Sequence, residues 1–368
     1  VLPGNHGPAI ARNRAFTAGG RSTNLENFMK GPQVILGHIG DTKVAALMID
    51  GILNDVLVED TNRLPLGSIL RAVVDRPVKG IGGVMLRIPS GIGFLKKAKG
   101  LAPGQVITVQ TSGFAEDGKA DPVSQRCIFK SRFAIVTPDQ PGLNISRQIR
   151  SDDLRDELTM LSKSAMEGSK MGLIIRSAAA SADIEEIGED ILAMRTLADT
   201  IASEVGTLPE VLLEGDDPHV QAWREWSNVT NILTASDDLE GSGALDQIEA
   251  AQDAWVSLGA GGMFIEQTRA MITVDINTGA NFSPAAALKT NLAAVQDLPR
   301  QLRLRGYSGQ IAIDFAPMSK RDRKPVEVAL RAALRTCPVA TEFVGWTPLG
   351  HGELKRKRER LTVTGLLT

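Results

Sequence analysis

Two aspartates in the last third of the chain have the setting of a metal site. Asp275 and Asp314 each stand near the end of a short apolar run, and about 40 residues separate them. That separation is the length of a strand–helix–strand crossover, so the two runs predict parallel strands with both carboxylates at one sheet edge. Mg²⁺ prefers one or two carboxylates with water and phosphate oxygens. The pattern predicts metal-assisted phosphoryl chemistry, although an Asp that only caps the next helix stays an alternative.

The remaining chemistry-bearing residues exclude several other sites. The four histidines have no triad-like or HExxH-like context, and the cysteines, Cys127 and Cys337, form no CxxC pair. A disulfide scaffold and a cysteine-rich zinc site are therefore disfavoured. No glycine-rich phosphate loop of the Walker or dinucleotide type follows a predicted strand, which argues against an unrelated α/β enzyme acting on a small-molecule phosphate.

Composition indicates an ordinary globular protein. Its residues are 43% hydrophobic and 23% charged, which are usual values for a globular protein. The length of 368 residues suggests two or three domains. A formal net charge of −2 excludes a uniformly basic coat but permits a basic groove. We expect no membrane span, because no apolar run approaches about 18 residues. Residues 1–28 lack a secretory apolar region and predict a flexible leader, with Met29 a candidate natural start and the cytoplasm the expected location.

The first block of the chain predicts β structure. Hairpin signals occur at residues 40–42 and 50–51, where Gly and Asp cluster between apolar runs. Further strands are predicted at residues 68–75, 83–88, 93–97, 105–113 and 127–136. Five short strands with glycine-rich turns favour a small closed barrel, of which the OB-fold is one form. A generic antiparallel sheet is the alternative.

Beyond Pro138 the pattern alternates between helix and strand, which predicts two α/β blocks. Helices are predicted at residues 152–168, 182–204, 283–305 and 324–335, strands at 171–176, 271–276, 310–315 and 339–344, and a loop at 237–242. Ser283 and Pro284 supply an N-cap and a first-turn proline for the third of these helices.

Several segments of the chain resemble one enzyme family. The segments "ITVDINTG", "KTNLAAVQDLPRQLRLRGYSGQIAIDF" and "GHGELKRKRER" closely resemble the catalytic region of the RNase E/RNase G endoribonucleases. Upstream, "GFLKK", "NISRQIRSDD" and "MGLIIRS" resemble the S1 domain and 5′-sensor region of that family in the same order. The resemblance spans residues 29–361 and implies an Mg²⁺-dependent endoribonuclease that cuts single-stranded, A/U-rich RNA in rRNA maturation or mRNA turnover. An RNA-binding relative with little or no catalysis is the alternative.

The resemblance also implies roles for individual residues. Asp275 and Asp314 match the aspartates that hold the catalytic Mg²⁺, for which Mn²⁺ is a substitute, and Asn277 matches an asparagine beside the metal and the scissile phosphate. The implied products carry a 5′-phosphate and a 3′-hydroxyl. Arg176 and Ser177 match an Arg-Thr pair that grips a 5′-monophosphate. The RNA-binding positions implied by the resemblance are Phe94, Lys96, Lys97, Lys119, Arg356 and Arg358.

Without the resemblance these same residues have simpler interpretations. Phe94 suits a barrel core, the lysines suit a solvated rim, and Arg176 suits an ordinary ion pair. The chain also departs from the family pattern, since Val84 stands where a second stacking aromatic is expected and Pro348 where a sensor arginine is expected. No CPxC motif follows the basic run, so we expect no structural zinc and no zinc-linked tetramer, while a homodimer stays open.

The resemblance further implies an α/β protein of several subdomains. These are a split RNase H-like subdomain at residues 29–65 and 215–265, an S1 (OB-fold) barrel at 66–118, a 5′-sensor region at 119–214, and a DNase I-like catalytic subdomain at 266–368 that ends in a basic helix. Composition and periodicity by themselves support only a β-rich block followed by two α/β blocks.

Overall fold

The computed structural model describes residues 30–363 except 79, 81, 117 and 260, so the predicted leader lies outside the described residues. In this part of the chain no helix is both long enough and apolar enough to cross a bilayer. The strands are β1 Pro32–Ile39, β2 Thr42–Ile49, β3 Ile52–Val58, β4 Ile69–Val78, β5 Gly83–Ile88, β6 Gly91–Lys96, β7 Val106–Thr111, β8 Asp121–Ser124, β9 Phe129–Lys130, β10 Ala134–Thr137, β11 Leu143–Ile145, β12 Gly172–Ile175, β13 Glu210–Leu213, β14 Asn231–Leu233, β15 Trp255–Ser257, β16 Gly262–Gln267, β17 Ile272–Asn277, β18 Gly309–Asp314, β19 Thr341–Trp346 and β20 Gly352–Arg356. The α-helices are α1 Asp152–Ala165, α2 Ile184–Ser203, α3 Pro218–Glu225, α4 Asp238–Gly241, α5 Ala244–Ala250, α6 Pro284–Leu304 and α7 Arg323–Thr336.

The first sheet is a three-stranded meander extended by a strand from much later in the chain. Its order is β14-β1-β2-β3, with β14 parallel to β1. The turn from β2 to β3 places both Asp50 and Gly51 at positive φ, as a tight hairpin turn requires, which confirms the predicted hairpin. Leu239 of α4 and Ile248 of α5 cover one face, and Ala222 of α3 covers the other. The predicted loop at residues 237–242 is therefore wrong, because α4 forms there to bury Leu239.

The second sheet closes into a five-stranded barrel, which is consistent with an OB-fold. Strands β4, β5, β6, β8 and β7 pair in that order, and β7 returns to β4. Leu70, Leu86 and Val109 are fully buried inside. The fifth strand is β8, beyond residue 118, and not the predicted 127–136. Residues 127–136 do contain strand structure, namely β9 and most of β10, but these strands belong to the third sheet. Their place in the barrel was predicted wrongly, because Phe129 and Val136 are buried in the core of that sheet.

The third sheet has the order β11-β12-β10-β9 and packs against α1 and α2. Ser151 caps α1, since its Oγ accepts a hydrogen bond from the Leu154 N–H at 3.4 Å. Asp183 caps α2 in the same way through the Glu185 N–H at 2.8 Å. Both helices and β12 were predicted, and their strong amphipathic or apolar pattern accounts for that success.

The fourth sheet contains the predicted crossover. Its order is β15-β16-β17-β18-β20-β19, and β17 and β18 are parallel with α6 between them along the chain. Ser283 caps α6 through the Ala286 N–H at 3.2 Å. Helices α6 and α7 bury one face of the sheet. The other face carries the exposed side chains of the strands. The sheet begins with β15 and β16, so the predicted boundary between residues 265 and 266 falls inside β16.

The basic run near the C-terminus is not a helix. Residues 352–356 form β20, which lies between β18 and β19, and residues 357–363 have no regular structure. Gly352, Leu354 and Arg356 alternate inward along β20, and Glu353 and Lys355 point outward. Pairing on both sides forces extended backbone, so the predicted basic helix is wrong.

Candidate active site

The acid pair lies at the carboxyl-terminal ends of the two central strands of the fourth sheet. Asp275 and Asp314 are directly paired residues of the neighbouring parallel strands β17 and β18. In both strands the alternate residues face the core, for example Val274 and Ile313, which leaves both aspartates exposed on the open face. The strand ladder therefore brings the two carboxylates to adjacent positions, as the crossover pattern predicts.

Two further side chains accompany the acids. Asn277 follows Asp275 by two residues on the same face, and its Nδ2 donates a hydrogen bond to Asp275 Oδ2 at 2.9 Å. His351 stands before β20, with its Nε2 3.5 Å from Asp314 Oδ1. His351 is held from its backbone, because its N–H donates to Thr347 Oγ1 at 3.0 Å and its carbonyl accepts from the Thr347 N–H at 2.8 Å.

Sequence reasoning missed His351. No spacing relation links it to the aspartates, and it reaches Asp314 only because β20 pairs antiparallel with β18, where Gly352 lies opposite Ile313. The residue before Gly352 is thereby placed beside the residue after Ile313. The signal was present in the segment "GHGELK", but the segment gives no strand register.

The donor set fits a hard cation with few protein ligands. Among the described residues no Lys or Arg lies within salt-bridge distance of Asp275 or Asp314, so no permanent cation of the protein takes the place of a metal ion. The described part of the chain also holds no group of three or more His, Cys, Asp or Glu arranged to bind a metal. Two carboxylates completed by water and phosphate oxygens is the coordination that Mg²⁺ favours.

The predicted aromatic of the barrel lies on its outer face. Phe94 is half-buried in β6 opposite Met85, and its ring covers Gly83, where an added Cβ would stand 2.5 Å from the ring. Lys96 follows on the same face and is exposed, as is Lys97. Val84 is 4% exposed and belongs to the barrel core. A side chain at position 84 therefore points away from Phe94, whose facing neighbour is Met85.

Lys119 and Arg358 line a different surface from the acid pair. They border a cleft of about 980 Å³ at the opposite end of the fourth sheet, beside the start of β17 and the residues before β18. Five residue steps along β17 place that end roughly 17 Å from Asn277. Both cations contact Glu116, and Lys119, together with Arg358, holds the pKa of the Glu116 carboxyl below its usual range. RNA phosphates would compete with Glu116 for these two cations.

Arg356 does not face solvent, so its prediction as an RNA-binding residue is wrong. It is 3% exposed, and its Nη1 donates to Thr341 Oγ1 at 2.7 Å and contacts Cys337 Sγ at 3.4 Å. The inward position in β20 explains this, since an alternating strand buries every second side chain whatever its charge.

Arg176 and Ser177 lie at the end of β12, and Arg176 is already engaged. Its Nη2 donates to Glu225 Oε2 at 2.6 Å, and its Nη1 donates to the Ser131 carbonyl at 2.6 Å. Burial opposes ionisation of Glu225, but Arg176, Lys130 and Arg224 lower its pKa overall. A terminal phosphate reaching Arg176 would have to displace this carboxylate.

Comparison with known proteins identifies the family. Residues 129–242 and 239–359 match the model of the Ribonuclease E/G family. The chain belongs to that family. Ribonuclease E of Nostoc sp. is 27% identical over 376 residues, which cover 86% of this chain but about half (54%) of that protein. The ribonucleases G of Salmonella typhimurium and Escherichia coli K12 are 27% and 26% identical, over 90% of this chain and 81% of each relative.

The four residues of the candidate site, which we call the acid edge, all lie within the family match. Asp275, Asn277, Asp314 and His351 all lie within the second matched segment, and Arg176 and Ser177 lie within the first. The barrel and its Phe94 precede both segments. The relatives are ribonucleases by name, so the predicted resemblance is confirmed at the level of the family.

Proposed function

We propose that this protein is an Mg²⁺-dependent endoribonuclease acting on single-stranded RNA. The observation that carries the proposal is the direct pairing of Asp275 with Asp314 at an exposed sheet edge, in a chain of the ribonuclease E/G family. A/U-rich segments of rRNA precursors and mRNA are the proposed targets.

Each residue at the acid edge has a proposed role. Asp275 and Asp314 would hold Mg²⁺, and Mn²⁺ would serve as a substitute. When bound, the cation supplies Lewis-acid stabilisation of charge on the phosphate and lowers the pKa of a coordinated water. The Asn277 amide keeps the Asp275 carboxylate oriented through its 2.9 Å hydrogen bond. His351 restrains Asp314 from the other side.

The other units would handle the RNA strand. Phe94, with Lys96 and Lys97 on the barrel surface, offers an aromatic face flanked by positive charge, which suits a single-stranded nucleic acid. We assign this barrel as the S1 domain, the third sheet with α1 and α2 as the 5′-sensor region, the first sheet as the RNase H-like subdomain and the fourth sheet as the DNase I-like catalytic subdomain.

Cleavage of a labelled single-stranded RNA tests the proposal. The purified protein should cut the RNA with Mg²⁺ and not with EDTA, and the products should carry 5′-phosphate and 3′-hydroxyl ends. Asp275→Asn and Asp314→Asn should each lower the rate by about 100-fold or more, because each removes a charged ligand from the transition state.

Glu353→Gln is the matched control. Glu353 is an exposed acid of the same sheet face, opposite Ala312 in the β18–β20 pairing. Its removal should leave the rate within about twofold. If the protein binds RNA but cuts none with Mg²⁺ or Mn²⁺, the non-catalytic alternative replaces this proposal. Equal loss in all three variants would contradict the assignment of the acid pair.

A further inference from the structure

An exposed pair of aromatic side chains stands next to the acid edge. Trp255 of β15 and Phe264 of β16 are directly opposite each other, and their ring centroids are 4.7 Å apart with the planes tilted by 53°. Trp255 is 42% exposed and Phe264 is 40% exposed. We refer to these two residues as the aromatic platform. Its position on the open sheet face leaves both rings accessible from the side that carries the acids.

Strand register places the aromatic platform beside the acid edge. In the antiparallel β16–β17 pairing, Phe264 is opposite Asp275 and Gly262 is opposite Asn277. Directly opposite residues share a face, and their Cβ atoms lie about 5 Å apart. The Phe264 ring is therefore the immediate lateral neighbour of the Asp275 carboxylate.

Gly262 extends this surface, because it makes room for the indole. A Cβ at Gly262 would stand 2.3 Å from Trp255 Cζ2 and 2.4 Å from Cη2. The indole thus occupies the space that a side chain facing Asn277 would fill. The two rings together cover the two positions of β16 that lie opposite Asp275 and Asn277.

We propose that the aromatic platform stacks a base of the RNA strand adjacent to the scissile phosphate, an inference that rests on the proposed function. The acid edge and the exposed Glu266 make this face repel phosphates wherever no cation intervenes. Aromatic stacking binds a base without using charge and tolerates any base. Bases in a duplex are already stacked and do not offer a free face, so the aromatic platform favours single-stranded substrates.

A double-mutant cycle, in which a protein substitution is combined with an abasic nucleotide in the RNA, tests this contact. Affinity is measured on the Asp314→Asn protein, in which cleavage is blocked, with a single-stranded oligonucleotide series that carries one abasic nucleotide at successive positions. One or two neighbouring abasic positions should weaken binding about tenfold, or about 1.4 kcal/mol. Phe264→Leu, which keeps an apolar strand residue, should weaken binding of the intact oligonucleotide by the same factor. The variant should then lose its sensitivity to the abasic position.

The matched control is Val344→Ala. Val344 is a 58% exposed apolar residue of β19, and β19 is the outer strand on the opposite side of the sheet from β15. The substitution should leave affinity and the abasic profile unchanged. The proposal is overturned if the losses of affinity from Phe264→Leu and from the abasic nucleotide add up. It is also overturned if Val344→Ala weakens binding as much as Phe264→Leu does. A change in sedimentation coefficient in Phe264→Leu without a change in RNA affinity overturns it too, since this would mean that a second copy of the chain covers the rings. Because only binding is read, failure of catalysis leaves this test intact.

Discussion

Among single residues, the two cysteines show how burial and neighbouring charges change the pKa of a thiol in opposite directions. Burial raises the pKa of the Cys127 thiol to about 12. Burial acts in the same direction on Cys337, but Arg356 and Arg303 contact its Sγ at 3.4 and 3.3 Å and lower its pKa overall. The thiolate is the nucleophile, so the two sites should differ strongly in reactivity.

Alkylation of the native protein checks this difference. Iodoacetamide at about pH 8 should modify Cys337 and spare Cys127, and the rate should reach its plateau at a lower pH than that of a free thiol. Peptide mapping gives the modified site, with Cys337→Ser as the control that takes up no label. Labelling of native Cys127 at a similar rate would contradict the assignment.

Glu225 allows a pH-dependent prediction. Its folded-state pKa is lowered, so its contribution to stability is present above the unfolded value of about 4.3 and is lost as the pH falls through the lower folded value. Glu225→Gln should lower Tm at pH 7 by roughly 2–4 °C. Its difference from the parent protein should shrink as the pH falls below about 4. The exposed Glu157 of α1 supplies the control, since Glu157→Gln should leave Tm at pH 7 nearly unchanged in calorimetry.

Among the elements, the strand that carries Asp314 is fixed by one buried amide. Asn291 of α6 is fully buried, its Nδ2 donates to the Ala316 carbonyl at 2.9 Å, and its Oδ1 accepts from the Ala316 N–H at 3.0 Å. The crossover helix thus holds the chain two residues beyond Asp314, which couples helix packing to the acid edge.

Removing that amide should be costly. Asn291→Leu would leave two buried backbone groups unpaired, at about 1–3 kcal/mol each. We expect the free energy of unfolding in urea to fall by about 2–5 kcal/mol and cleavage to fall with it at temperatures where the variant is folded. Lys289→Leu, an exposed position on the same helix, should cost about 0.5 kcal/mol or less. Similar losses in the two variants would refute the role of Asn291.

The crossover was predictable and the basic strand was not, for a physical reason. Alternating or continuous apolar residues mark β17 and β18, and Ser283 with Pro284 marks the start of α6, so local signals agree. In β20 only Leu354 is an apolar anchor, and Arg356 occupies an inward position. Its guanidinium is accommodated by Thr341 and Cys337, which belong to neighbouring segments that sequence spacing does not bring together.

For the whole molecule, α6 joins the first sheet to the fourth. Arg300 Nη1 donates to the Leu53 carbonyl at 2.8 Å, and Arg303 Nη2 donates to the Asn54 carbonyl at 2.9 Å. Asp55 of β3 is 2% exposed and lies 3.1 Å from Arg360 Nη2 and 3.6 Å from Arg303 Nε. These contacts cross more than 240 residues of sequence, which is why no local pattern predicts them.

Asp55 therefore couples two sheets through buried charge. Asp55→Ala would leave Arg303 and Arg360 without their shared carboxylate, and removing one partner of a buried ion cluster costs about 3–5 kcal/mol. The cluster also ties β3 to α6 and to the segment after β20. We therefore expect the urea unfolding transition to become less cooperative and its midpoint to fall to a lower urea concentration. The first sheet should unfold at a lower urea concentration than the fourth.

An exposed ion pair on α2 serves as the control for Asp55→Ala. Asp199 lies 3.8 Å from Arg195 on α2 with its side chain 58% exposed, so Asp199→Ala should cost about 0–1 kcal/mol and keep a single transition. Tryptophan fluorescence and far-ultraviolet circular dichroism should give coincident curves for this variant and separate curves for Asp55→Ala. Coincident curves in both variants would mean that apolar packing of α6 couples the sheets without the ion cluster. In that case the coupling between the two sheets would rest on the buried apolar cluster that contains Leu53 and Leu304 of α6.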